Sequence, residues 1–304
     1  MKKVLIIWIV VSTLCFTGTA GTRSPSSTIR DRGMKATRVA ENGIVADLFG
    51  VQEGSARKII IMLGGSEGGK SFSRMKKPIK LLVEKGYAVL SLAYFKAHGL
   101  PTSLEEIPIE YFERVMNWLS DQPGIIPDQY GIIGGSKGAE LGLLLASRYP
   151  QIKAVVAMSP SSVVWQGIPA RLRNIGKSPT SSWSFNGNSI PYVPSSLTRK
   201  DVGKIIRLKL LDSALKDLQQ DDFVEIARIP VEEIQGSVLL LSAKSDQLWP
   251  STQMAEEIIS RMKDFHFKFP YEHIAYNTGH QGLFMSRECW KKAFSFLEEF
   301  FSPT

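Results

Sequence analysis

A chain of 304 residues, 43% hydrophobic and 22% charged, is long enough to bury one sizeable core, and this balance excludes a disordered or collagen-like polymer. Its formal net charge of +8 comes without a Lys/Arg-dense run interleaved with aromatics, which argues against a nucleic-acid partner. What remains is a solvated basic surface that would favour anionic substrates or an anionic surface.

The chain opens Met1-Lys2-Lys3, stays apolar from Val4 to Gly18 and then reads Gly18-Thr19-Ala20. That is the pattern of a secretory signal peptide, residues 1–20, cut after Ala20, and it predicts an exported protein, periplasmic or secreted. The apolar core is shorter than the ~20 residues of a spanning helix, so no stable membrane span is expected after cleavage. Leu14 rather than a small residue precedes Cys15, which argues against lipid attachment there. Cleavage leaves Cys289 as the only cysteine and no intramolecular disulfide.

Residues 21–35 start rich in Ser, Thr, Pro and Gly and read as a flexible leader, followed by one domain over 36–304. Short Val/Ile/Leu-rich runs then alternate with amphipathic segments. Strands are expected at 44–50, 58–63, 88–93, 130–134, 154–158, 238–242 and 267–269, and helices near 77–85, 104–120, 137–148, 252–263 and 287–300. This alternation predicts an α/β fold with a mostly parallel central sheet flanked by helices. Residues 159–234 break the rhythm with Gly, Pro, Ser, Asn and two tryptophans, Trp165 and Trp183, and read as a cap insertion over the carboxyl ends of the strands.

The run Tyr130-Gly131-Ile132-Ile133-Gly134-Gly135-Ser136-Lys137-Gly138 sets Gly-x-Ser-x-Gly between an apolar strand and a helix-forming stretch. This is the signature of a nucleophile elbow. Ser136 must stand on a sharp turn, Gly134 and Gly138 give that turn room, and the following helix N-terminus favours negative charge beside an attacked carbonyl. A serine nucleophile needs a base, and the histidines are His98, His266, His273 and His280. His280 fits best: it follows the last expected strand and Gly279 and precedes the final helix, as the order Ser, acid, His requires. Asp246 lies just beyond the run 238–242 and is preferred as the acid over Asp221 and Asp222, which sit in a polar stretch.

The oxyanion hole should combine the Lys137 amide with one from the loop Leu63-Gly64-Gly65-Ser66-Glu67-Gly68-Gly69, either Ser66 or Glu67. The same loop, continued through Lys70-Ser71, matches the phosphate-binding pattern G-x-x-x-x-G-K-[ST]. No apolar strand ends in the Asp that would hold magnesium, and an exported protein meets little nucleoside triphosphate, so that match is set aside. The histidines show neither H-E-x-x-H nor paired-cysteine spacing, and neither metal nor cofactor is expected.

With these residues in view, the chain resembles the catalytic domain of the acyl-CoA thioesterase and bile acid-CoA:amino acid N-acyltransferase family over residues 45–301. The resemblance is carried by 63–69, Leu100-Pro101 with Ile109-Glu110-Tyr111-Phe112, Gly135-Ser136-Lys137-Gly138-Ala139-Glu140, Ser182-Trp183 with Gly187 and Pro191, Asp246-Gln247-Leu248-Trp249-Pro250-Ser251, and Gly279-His280. It implies an α/β-hydrolase fold and a Ser136/Asp246/His280 triad acting on a small-molecule acyl thioester or ester. Trp183 and Trp249, within the matching segments, are the candidate substrate-contacting side chains. In that family the amino-acid-conjugating members use cysteine where this chain has Ser136, and the hydrolytic members use serine. Two departures bear on the substrate. Intracellular members carry a β-sandwich domain before the hydrolase domain, for which the residues ahead of the first core strand are too few, and acyl-CoA is an intracellular metabolite, whereas this N-terminus reads as an export signal.

Overall fold

The computed structural model describes residues 26–31, 34–51 and 54–303; the expected signal peptide lies outside the described residues. Three antiparallel strands come first, β1 (Ser26–Asp31), β2 (Met34–Glu41) and β3 (Ile44–Phe49). Next come β4 (Arg57–Leu63), α1 (Lys76–Glu84), β5 (Ala88–Ala93), the two-residue β6 (Ile107–Pro108), α2 (Glu110–Ser120), β7 (Ile125–Gly135), α3 (Lys137–Ala146) and β8 (Ile152–Met158). The insertion holds β9 (Trp183–Phe185), β10 (Asn188–Ser189), α4 (Val202–Ile206), α5 (Leu211–Asp217) and α6 (Asp221–Ala227). The chain closes with β11 (Ser237–Ala243), α7 (Ser251–Asp264), β12 (Tyr271–Tyr276), α8 (His280–Met285) and α9 (Arg287–Phe300).

The main sheet runs β1-β2-β3-β5-β4-β7-β8-β11-β12. From β5 to β12 every neighbouring pair is parallel, and this is the mostly parallel sheet of an α/β-hydrolase fold. The central strands are buried along nearly their whole length, as a strand covered on both faces must be, and so they read as unbroken apolar runs. Two apolar clusters occupy the two faces of the sheet, one built around Ile59, Ile61, Val115 and Leu143, the other around Ile60, Met62, Val156 and Phe296. Every residue of α3 is buried, so this helix is rigid backing for whatever stands at its N-terminus.

Chain order turns back at β4, which lies between β5 and β7, and Leu63 pairs with Gly134. The loop leaving β4 and the turn leaving β7 are therefore side by side at the carboxyl edge, the crevice where open α/β sheets bind ligands. The ends of β8, β11 and β12 lie along the same edge.

Three expectations need correction. The supposed leader 21–35 contains β1 and the start of β2, because Thr28 and Ile29 suit a strand and the sheet edge supplies their backbone partners. The last strand is not at 267–269 but at Tyr271–Tyr276; as the sheet's half-exposed edge it shows no apolar run, while Phe267 instead packs against Phe269 and Tyr271. The helix expected from 104 starts only at Glu110, since Pro108 has no N–H to donate and Ile107–Pro108 pair with β9 instead.

Candidate active site

Ser136 directly follows the buried end of β7 with φ 55° and ψ −121°, outside the regions a side-chain-bearing residue occupies comfortably. Such a backbone costs on the order of 1–3 kcal/mol and persists only where surroundings enforce it. They do so here. The Ser136 amide donates to the Met158 carbonyl at 2.9 Å, and its own carbonyl accepts from Ala139 at 2.8 Å and Glu140 at 3.1 Å. A Cβ on Gly134 would strike the Gly138 carbonyl, and one on Gly138 would strike the carbonyls of Leu63 and Gly64, so the glycines let strand, loop and helix touch.

Asp246 follows β11 and is nearly inaccessible, at 3% exposure. Its Oδ2 lies 2.8 Å from His280 Nδ1 and accepts hydroxyl protons from Ser251 at 2.8 Å and Ser159 at 3.1 Å. Its Oδ1 accepts from the amides of Leu248 at 2.9 Å and Trp249 at 3.4 Å. Burial alone would raise the carboxyl's pKa, but the bond and charge of His280, the Leu248 amide and the Ser251 hydroxyl outweigh it and hold the group below its ordinary value. A fixed carboxylate at Nδ1 orients the imidazole and leaves Nε2 for other work.

His280 is the first residue of α8, and Phe284, one turn on, leans against the elbow: a Cβ on Gly135 would meet its ring. The ring centroids of His280 and Phe284 are 6.0 Å apart, and Trp249 meets His280 in a T-shaped contact with centroids also 6.0 Å apart. Trp249 also stacks on Trp165 of the cap at 6.2 Å, within a third apolar cluster that includes Val163, Val193 and Met254. Buried in that stack, its indole Nε1 has no hydrogen-bond partner among the described residues.

The loop after β4 closes the other side. Gly65 comes so near that a Cβ would lie 3.1 Å from Ser136 Cβ. The Gly65 amide is taken by Glu67 Oε1 at 3.0 Å, whereas the amides of Ser66 and Glu67, both exposed residues, have no partner among the described residues. The same holds for the Lys137 amide at the first position of α3. These unpaired N–H groups are the kind of donors an oxyanion requires. Lys70, which completed the phosphate-binding pattern, is ion-paired with Asp47, and a 3-10 turn rather than an α-helix follows it.

Trp183, expected to contact substrate, is fully buried and supports the elbow from behind. Its indole N–H donates to Glu140 Oε1 at 2.7 Å, and both Glu140 oxygens accept from Lys137 Nζ at 2.7 Å. The Trp165 amide adds a fourth bond to Glu140 at 3.3 Å. Burial pushes the Lys137 amine down and the Glu140 carboxyl up in pKa, and their contact opposes both shifts without cancelling either. Sequence reasoning quoted Glu140 and Ser251 within matching segments without giving them a role, and missed Ser159. The available signal was a Lys and a Glu three apart in the otherwise apolar stretch Lys137–Ala146, which inside a buried helix must find each other.

Residues 107–282 match the family described as BAAT / Acyl-CoA thioester hydrolase C terminal. Similar proteins include mouse acyl-coenzyme A thioesterase 2, mitochondrial, 33% identical over 76% of this chain and 46% of the relative. Another is mouse acyl-coenzyme A amino acid N-acyltransferase 1, 29% identical over 76% of this chain and 50% of its own length. The chain thus spans about half the length of the curated relatives it matches. Among solved structures, the Pyrococcus furiosus esterase Pf2001 superposes with a TM-score of 0.56 at 17% identity, covering 93% of this chain and 98% of that one, a likeness of fold. With the match over 107–282 and these relatives, the chain belongs to the BAAT / acyl-CoA thioester hydrolase C-terminal family.

Proposed function

We propose that this protein is an exported serine hydrolase that cleaves acyl thioesters or esters through Ser136, His280 and Asp246. The observation that carries the reading is the buried Asp246–His280 contact of 2.8 Å, at the start of a helix whose Phe284 packs on the elbow at Gly135, together with Ser136 held at φ 55°. The family, whose members include proteins named thioesterases, supports the bond type. The run Val4–Gly18 with Gly18-Thr19-Ala20 supports export.

On this reading the reaction has two halves, acylation and deacylation. His280 Nε2 takes the proton of Ser136 Oγ as that oxygen bonds to the acyl carbon, and the carbonyl electrons move onto its oxygen. That oxyanion rests on the Lys137 amide and on the amide of Ser66 or Glu67, with the N-terminus of α3 adding its positive end. The oxyanion collapses, the bond to sulfur or oxygen breaks, and the leaving group departs with the proton from His280. Water then gives a proton to His280, attacks the acyl-enzyme and releases the acid, and Ser136 recovers its proton. The elbow sets half-buried Ser136 on the sharp turn between β7 and α3, the position from which such a serine attacks.

The test is a panel of acyl esters and thioesters offered to the purified protein and to Ser136→Ala, with released acid measured and a fluorophosphonate probe run in parallel. Acid release and labelling by wild type alone are expected. Release or labelling that survives in Ser136→Ala overturns the assignment.

A further inference from the structure

The cap carries the most one-sided charge in the chain. Between Arg171 and Lys209 there are eight lysines and arginines against one acid, Asp201. The structure gathers them from two stretches. The 3-10 turn Leu172–Asn174 packs on the 3-10 turn Arg199–Asp201, and Gly176 sits so close to the second stretch that a Cβ would lie 3.2 Å from the Leu197 carbonyl oxygen. Arg171, Arg173, Lys177, Arg199, Lys200 and Arg207 are all exposed.

What sets these cations apart is that they lie together on two packed turns with one acid among them. Lys85, Arg228 and Lys292 each have a carboxylate within 2.7 Å. In the cap strip Lys204 pairs with Asp201 at 3.1 Å, and the six residues just named have no carboxylate at ion-pair distance among the described residues. Large apolar side chains stand among them: Leu172 between Arg171 and Arg173 is 37% exposed, and Ile206 beside Arg207 is 48% exposed. Neither 171–177 nor 197–209 contains an aromatic residue on which a base could stack.

We infer that this strip of the cap docks the protein on an anionic phospholipid surface. Unpaired guanidinium and ammonium groups match a layer of phosphate headgroups, and exposed Leu172 and Ile206 match the apolar boundary just beneath it. Charge complementarity selects lipid headgroups of net negative charge, and the apolar pair selects a membrane over a soluble polyanion. Docking goes beyond the hydrolytic reading and stands without it.

The test is sedimentation of the exported form, beginning at Gly21, with vesicles of phosphatidylcholine alone and of phosphatidylcholine with phosphatidylglycerol, at low and high salt. Binding confined to the anionic vesicles and weakened by salt is expected. Arg173→Gln with Lys200→Gln should lower the partition coefficient roughly thirtyfold, about fivefold per charge. Leu172→Ser with Ile206→Ser should weaken vesicle binding while leaving retention on heparin unchanged. All four substitutions are at exposed positions, and circular dichroism checks the fold of each variant independently of activity. Wild-type protein that ignores phosphatidylglycerol, or that binds neutral vesicles equally well, overturns the proposal whatever the variants do. So does heparin retention without vesicle binding, which would assign the strip to a soluble polyanion.

Discussion

Asp246 and His280, 34 residues apart in the chain, meet at 2.8 Å because β11 and β12 end side by side at the carboxyl edge of the sheet. Four further donors reach the same carboxylate: the hydroxyls of Ser251 and Ser159 and the amides of Leu248 and Trp249. In Asp246→Asn an amide replaces an acceptor-only group, and the imidazole is presented in the wrong tautomer. Turnover should fall about 10⁴-fold with KM little changed. Steady-state kinetics on a soluble ester settle it, and near-normal kcat would move the orienting role elsewhere.

Acid stability follows from the same carboxylate. Its pKa in the folded protein is below the ordinary value, so in the unfolded chain it binds a proton more readily. Its stabilising contribution is therefore complete above the ordinary carboxylate pKa and is lost as pH falls through the lowered folded one. Denaturation midpoints of wild type and Asp246→Asn, followed downward from neutral pH, should converge in acid. A gap that stays constant into strong acid contradicts the assignment.

Gly138→Ala should be far more damaging than Gly142→Ala, though both lie in α3. At Gly138 the new methyl meets the backbone carbonyls of Leu63, fixed by the pairing of β4, and of Gly64, which accepts from the Tyr94 hydroxyl. At Gly142 its one tight contact is the Cγ2 methyl of Ile132 at 2.9 Å, a side-chain clash that a small shift relieves at less cost than one against two backbone carbonyls. Circular dichroism and probe labelling should show the first variant unfolded or unreactive and the second folded and reactive.

Much of this architecture is legible in sequence because it rests on local pattern. The central strands are buried on both faces, so β4, β5, β8 and β11 announce themselves as apolar runs, and the elbow announces itself through Gly134, Ser136 and Gly138. What stays hidden depends on tertiary position. β12 is an edge strand with half-exposed residues throughout and offers no run to read. Trp183 stands in a segment that looks like a cap over the substrate, yet its indole N–H is spent on Glu140, a contact between residues 43 apart that no spacing rule reveals.

That contact makes a stability prediction. Glu140→Leu leaves the Lys137 ammonium buried without its partner, which costs about 3–5 kcal/mol. Trp183→Phe removes one donor from a buried carboxylate and costs less, about 1–3 kcal/mol. Denaturant midpoints should rank wild type above Trp183→Phe above Glu140→Leu. Equal stability across the three would mean the pair is solvated in solution.

The acyl acceptor is the last expectation. Family relatives include both thioesterases and an amino acid N-acyltransferase, so membership alone leaves water and amine open. The proposed nucleophile separates them. A cysteine acyl-enzyme is a thioester, which amines attack readily, whereas acylated Ser136 is an oxygen ester whose breakdown relies on His280 activating water. The imidazole is already oriented for that task by a buried carboxylate 2.8 Å from Nδ1. Hydrolysis should therefore dominate when a reactive acyl thioester is supplied with glycine, taurine or simple alcohols in millimolar excess and the products are separated by chromatography. Conjugate exceeding free acid, formed by wild type and not by Ser136→Ala, would make the protein an acyltransferase. Ser136→Cys sharpens the comparison: if the leaving-group chemistry of the acyl-enzyme governs the acceptor, that single exchange should raise the share of amine conjugate relative to wild type, and an unchanged ratio would place acceptor choice in the cap instead.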